Sequence, residues 1–80
     1  MKNILLKNIV VSSPKVIIIN KIEDVDNAID LLRERQPIIV NASNISRREG
    51  LRIIDFLSGY CYAENGKYKR IDEMIYRFEI

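Results

Sequence analysis

The sequence predicts a two-layer α/β (α+β) sandwich: a mixed sheet of about five strands with two helices on one face, in the order β-α-β-α-β-β-β. Three observations predict it. In the first half, short β-branched runs at residues 16–19 and 38–40 alternate with segments whose apolar residues recur every three or four positions. After Tyr60 the apolar period changes to two. Two turn signals, Asn65-Gly66 and Asp72-Glu73, then divide that last stretch into three short segments.

Residues 1–14 read as a lead-in and residues 15–80 as the core domain. Lys2 and Lys7 interrupt Ile4, Leu5, Leu6, Ile9, Val10 and Val11, which is too broken a run for a signal peptide. Those apolar residues spread around most of a helical wheel. A strand, an unordered lead-in and a membrane-surface helix all fit the pattern. Ser12-Ser13-Pro14 separates this segment from Val16, Ile17, Ile18 and Ile19, which read as a strand covered on both faces. Asn20, three residues before Glu23, fits a helix N-cap with its reciprocal partner. Ile22, Val25, Ala28, Ile29 and Leu32 form one apolar helix face, opposite Glu23, Asp26, Asp30 and Arg33.

Pro37 ends that helix and opens the strand at 38–40. Ser43 and Ser46 are both candidate caps for the second helix, and Ser46 with Glu49 matches a capping box. Gly50, Ile53, Ile54 and Leu57 share its buried face; Gly50 in mid-helix costs about 1 kcal/mol against alanine, which close packing would offset. Arg52 and Asp55 read as a surface pair. Ser58-Gly59 reads as the stop, since glycine accepts the left-handed conformation just past a helix. Residues 60–63 and 67–71 are then strands joined through Asn65-Gly66. In the final strand Met74, Tyr76, Phe78 and Ile80 share one face. Tyr60, Tyr62, Tyr68, Tyr76 and Phe78 all fall in this predicted meander, so some rings are expected on the face away from the helices.

Composition narrows the function classes. Eighty residues make one domain near the lower limit for an independent core, and a sheet covered on one side favours self-association. Thirteen basic against eleven acidic residues leave a net charge of +2, too weak and interspersed for a nucleic-acid groove. Histidine is absent and Cys61 is the single cysteine, so the commonest general base, an internal disulfide and a multi-thiolate metal site are all excluded. Asp24, Asp26 and Asp30 lack calcium-loop spacing. No catalytic residue, cofactor or metal ligand is assigned, and Cys61 reads as a small buried apolar residue in a reduced, intracellular chain.

One stretch carries a more specific wording. Val40-Asn41, a short loop, Arg52-Ile53-Ile54-Asp55-Phe56-Leu57-Ser58-Gly59, Tyr62-Ala63 and Gly66 keep, without gaps, the spacing of the SepF cell-division family, which tethers the FtsZ polymer to the membrane. The resemblance spans residues 16–80 and is most specific in the second helix and the predicted hairpin after it. It implies a non-enzymatic, cytoplasmic homodimer at the division site that binds the C-terminal tail of FtsZ and polymerises. By the same resemblance Arg70 and Tyr76 line the tail pocket, tyrosine standing where the family usually has phenylalanine, and Gly59 lies where assemblies make contact. Tyr76→Ala is expected to weaken tail binding with the fold intact. This chain departs from the family in having about 15 residues before the core instead of a membrane-targeting helix and long linker, in stopping at Ile80, and in carrying Gly50 where alanine is common. Membrane association is thus the part of the resemblance with least sequence behind it.

Two other readings stand beside it. A small dimeric ligand-binding regulatory α/β domain would need a pocket with convergent polar groups. Single-stranded RNA binding would use rings on the open sheet face and a basic stripe, and the low net charge argues against it.

Overall fold

The computed structural model describes residues 13–80 and the expectations for residues 1–11 lie outside it. Strand β1 (Lys15–Ile18) leads through a single 3₁₀ turn (Ile22–Asp24) into helix α1 (Val25–Arg33); β2 (Ile38–Asn41), α2 (Arg47–Ala63), β3 (Lys67–Asp72) and β4 (Ile75–Glu79) come after it. The sheet order is β1-β2-β4-β3, with β1 and β2 parallel and the other two pairings antiparallel. The two-layer α/β class therefore stands, with four strands among the described residues instead of about five.

The missing strand is the main correction. Residues 60–63 are the last turn of α2, which runs straight through Ser58-Gly59. Gly59 is exposed and has no positive φ, so it stops nothing. The left-handed residue is Asn65, at φ 61°. Around it the Gly66 amide donates to the Cys61 carbonyl at 2.7 Å and the Asn65 amide to the Tyr62 carbonyl at 3.1 Å. This is a Schellman ending, and it satisfies carbonyls that the helix leaves open. Asn65-Gly66 thus closes a helix and does not turn a hairpin. Helix α1 ends the same way on Arg35, at φ 63°, with Gln36 donating to Leu31 at 2.9 Å.

The beginnings of the helices divide between success and correction. The Ser46 hydroxyl accepts the Glu49 amide at 3.1 Å, the cap expected for α2. Ahead of α1 the pair Asn20/Glu23 makes no cap. Asp24 instead reaches back from the first turn, its carboxylate accepting the Asn20 and Lys21 amides at 2.8 and 3.2 Å. The Asn20 side chain instead accepts from Asn44 at 3.0 Å, linking the loops after β1 and β2.

The core lies between sheet and helices. Ala28 and Leu32 of α1, Ile53, Leu57 and Cys61 of α2, and Ile38, Val40 and Phe78 of the sheet are all buried there, with no buried polar or charged side chain among the described residues. Each large side chain so buried contributes about 1.5–3 kcal/mol. At Gly50 helix α2 packs closely against Ala42 and Met74. A Cβ there would stand 2.3 Å from the Met74 methyl and 3.1 Å from the Ala42 carbonyl oxygen, so the helix penalty of glycine is offset by close packing.

Cys61 is buried, as its apolar reading requires, but on α2 instead of a strand. Burial pushes its thiol above the ordinary value of 9.0, outweighing the lowering effect of a backbone hydrogen bond at Glu79. Above that pH an unfolded chain ionises its thiol while the folded one holds its proton, so this group favours unfolding as pH rises past 9.0. Native protein is expected to resist thiol alkylation at pH 8 and to react fully once unfolded in guanidinium. Rapid labelling of native protein would show the site to be open.

Candidate protein-docking site

The face of the sheet away from the helices carries aliphatic side chains, not rings. Register places Val16 beside Ile39 and Ile18 beside Asn41, which in turn opposes Ile75. Val16 and Ile18 are 64% and 49% exposed, so β1 is covered on one face only. Toward β3 this face becomes charged, with Lys69 opposite Arg77 and an ion pair between Arg77 and Glu79. The expected exposed rings are elsewhere. Tyr60 and Tyr62 belong to α2, while Tyr68 and Tyr76 share the helix-side face with Phe78. The open face therefore offers no stacking surface of the kind an RNA reading would need.

Arg70 and Tyr76 are brought together. They are direct cross-strand partners on the helix side of β3 and β4. A β-bulge between Arg70 and Asp72 is responsible, since it gives Ile71 no partner and shifts the register by one. Continued regularly from the Asp72–Ile75 pair, the ladder would set Arg70 against Arg77, on the wrong face. The bulge also sets Tyr68 against Phe78. Their ring centroids are 6.2 Å apart, and those of Tyr76 and Phe78 are 6.0 Å apart at an interplanar angle of 19°. The sequence does not single out Tyr68, because the period of two alone does not reveal which β3 residues face Tyr76.

The two expected binding residues differ in their freedom. Arg70 is exposed; its Nε donates to the Asp72 carbonyl at 3.4 Å, and no carboxylate lies within ion-pair distance among the described residues. Tyr76 is half-buried and packs against the core. Its replacement by alanine is thus expected to cost about 2 kcal/mol, so it is not the fold-neutral probe that the sequence suggests. The β3–β4 turn is tied to the start of α2 by the Arg47–Glu73 ion pair at 2.8 Å.

Gly59 stands apart from this pair. It sits on the side of α2 that turns away from the sheet, with no atom within 4 Å of where a Cβ would lie. One turn earlier Phe56 is 55% exposed and lines a shallow groove with Ile22, Val25, Arg52 and Ile53. Arg52 and Asp55 form no ion pair.

Fold and surface together define a small two-layer scaffold with an exposed aliphatic sheet face and an exposed cation paired with a half-buried ring; none of its described helices is long and apolar enough to cross a membrane. The family model described as "Cell division protein SepF" matches residues 15–78, and the chain belongs to that family. Similar curated proteins, each called "Cell division protein SepF", occur in Thermoanaerobacter sp. (strain X514), 39% identical over 56 residues, and in Brevibacillus brevis, 40% identical over 53. A third, from Desulfitobacterium hafniense, is 41% identical over 56 residues. The aligned parts are 70%, 66% and 70% of this chain but 41%, 37% and 37% of those relatives. The chain thus spans about two fifths of the length of the relatives it matches.

Proposed function

We propose that this chain is a non-enzymatic cell-division adaptor at the inner face of the division site: a homodimer that binds the C-terminal tail of FtsZ and polymerises to organise or anchor the division ring. The observation that carries the reading is the Arg70–Tyr76 pairing across β3 and β4, a free cation beside a half-exposed ring. A tail segment offering an apolar side chain next to a carboxylate complements such a pair. The open aliphatic face supports the dimer, and the unobstructed surface at Gly59 supports further assembly. Each tail binds one pocket weakly, and linking pockets raises the effective concentration of the next, so affinity for a polymer exceeds that for a single tail. Membrane association would be supplied from outside residues 15–80.

Arg70→Glu is the cleanest test, because the side chain is exposed and its loss leaves no buried group unpaired. Calorimetry with an FtsZ tail peptide is expected to show at least about tenfold weaker binding, with the melting temperature unchanged. Wild-type affinity in the variant would remove Arg70 from the site.

A further inference from the structure

We infer that the charged end of the open sheet face, where Lys67, Lys69 and Arg77 line a cleft with Glu79 and Tyr68, binds a phosphate dianion, free or as the terminal group of a larger molecule. The cleft measures about 470 Å³. Its three cations lie on the other face of β3 and β4 from Arg70 and Tyr76, so the site is independent of tail capture. It is also separate from the aliphatic patch on β1, because β1 and β3 are opposite edges of the sheet.

Strand register creates the site. Lys69 is set directly across from Arg77, and Lys67 directly across from Glu79. Like charges so opposed destabilise an antiparallel pair, their Cβ atoms being only about 4.5–5.5 Å apart. Glu79 is the one carboxylate lining the cleft, and it is engaged by Arg77. Lys67 and Lys69 have no carboxylate within ion-pair distance among the described residues. Three cations against one carboxylate thus share a single cleft, in a chain whose whole formal net charge is +2.

Charge and donor geometry select the ligand. Two unpaired ammonium groups match the charge of about −2 that a phosphate monoester carries near pH 7. A carboxylate brings one charge, and Glu79 already supplies one at the Arg77 end. Arg77 donates to Glu79 through a single terminal nitrogen, and a guanidinium has further N–H groups to offer. A phosphate has enough acceptors to meet those donors and both lysines together. Both lysines are exposed, so solvent ions screen the contacts and binding is expected to be weak and salt-sensitive.

The test titrates the whole chain with inorganic phosphate, against sodium acetate at equal ionic strength. Phosphate is expected to raise the melting temperature by a few degrees and acetate to leave it in place. The double variant Lys67→Gln with Lys69→Gln is expected to bind phosphate at least about tenfold more weakly. Without ligand it should melt no lower than the wild type, since it relieves the repulsion at Arg77, and it should keep its affinity for a tail peptide within about twofold. Sedimentation with vesicles of phosphatidic acid in phosphatidylcholine separates the sources. Co-sedimentation that is lost in the double variant, with no response to free phosphate, would assign the dianion to a lipid headgroup. The inference is overturned if neither phosphate nor these vesicles bind better than acetate and pure phosphatidylcholine vesicles, or if the double variant binds them as the wild type does.

Discussion

Replacing Gly66 by alanine is expected to lower stability by about 3 kcal/mol, although the residue sits in an exposed stretch between helix and strand. The cause is a close approach of backbone, not an unusual φ, since no glycine in the described chain has a positive φ. A Cβ at Gly66 would lie 2.4 Å from the Glu79 carbonyl oxygen and 3.1 Å from the Ile80 Cα. Those atoms have little room to retreat, because Glu79 is held in register opposite Lys67 at the end of the β3–β4 ladder. Relief would require opening that end of the hairpin or undoing the Gly66–Cys61 hydrogen bond that finishes α2. For a domain of this size the melting temperature should fall by about 15 °C, as followed by circular dichroism. The neighbouring Asn65→Gly provides the control. Asn65 holds the left-handed φ, which glycine adopts freely, so that variant should melt within a few degrees of the wild type. A Gly66→Ala variant as stable as wild type would mean that the hairpin end can move aside.

These two residues also show why local sequence is a sound guide on one scale and a poor one on another. Asn-Gly is a strong hairpin signal, and Ser58-Gly59 is a strong helix stop. Both inferences weigh local propensity alone. What decides between them is tertiary: Cys61 is buried under the sheet's helix-side face, and continuing the helix through Gly59 is what carries it there. Tyr60 and Tyr62 imitate a strand's alternation over too few residues for the period to discriminate. By contrast, the buried positions of α2 at Gly50, Ile53, Ile54 and Leu57 are legible, because four positions at spacings of three, one and three fit only a helix. The core face of the last strand is legible for the same reason at period two, with Phe78 of β4 and Met74 just before it buried.

The candidate site is legible by resemblance but not in geometry. Arg70 and Tyr76 can be singled out by resemblance, yet nothing in the residues of β3 announces the bulge that sets them on one face. A bulge is favoured by what it aligns. Here it lets Tyr68 meet Phe78 and keeps Arg70 from lying opposite Arg77, at the cost of placing Lys69 there, with Glu79 at hand to compensate Arg77. Sequence patterning sees one strand at a time, whereas this choice depends on pairs. The placement of the rings escapes it for a related reason. Their number suggests an exposed cluster, but the shift in register turns Tyr68 inward beside Phe78, and the longer helix removes Tyr60 and Tyr62 from the sheet.

On the open side of the sheet, the double replacement Val16→Lys with Ile18→Lys is expected to abolish self-association while leaving the fold nearly untouched. Both side chains point away from the helices and are 64% and 49% exposed, so as a monomer the protein loses little by exchanging them for lysine. In a symmetric dimer the same patch occurs on both partners, and each replacement acts twice. Losing two aliphatic contacts per partner and adding facing charges should weaken association by at least about a hundredfold. Light scattering over a concentration series should then show a monomer where the wild type is expected to be a dimer. The proposed tail site lies on the other face of the sheet and is separable from this surface. Arg70 and Tyr76 stand on the other layer of the sheet, so the double variant should keep its affinity for a single tail peptide and lose its advantage on FtsZ polymers, where several tails are engaged at once. Were the variant to remain a dimer, the aliphatic face would not be the contact, and the exposed Phe56 beside Gly59 would become the surface to replace next. A wild-type protein that stays monomeric at high concentration would remove the multivalent mechanism altogether, because a single weak pocket gives a polymer no advantage over a free tail.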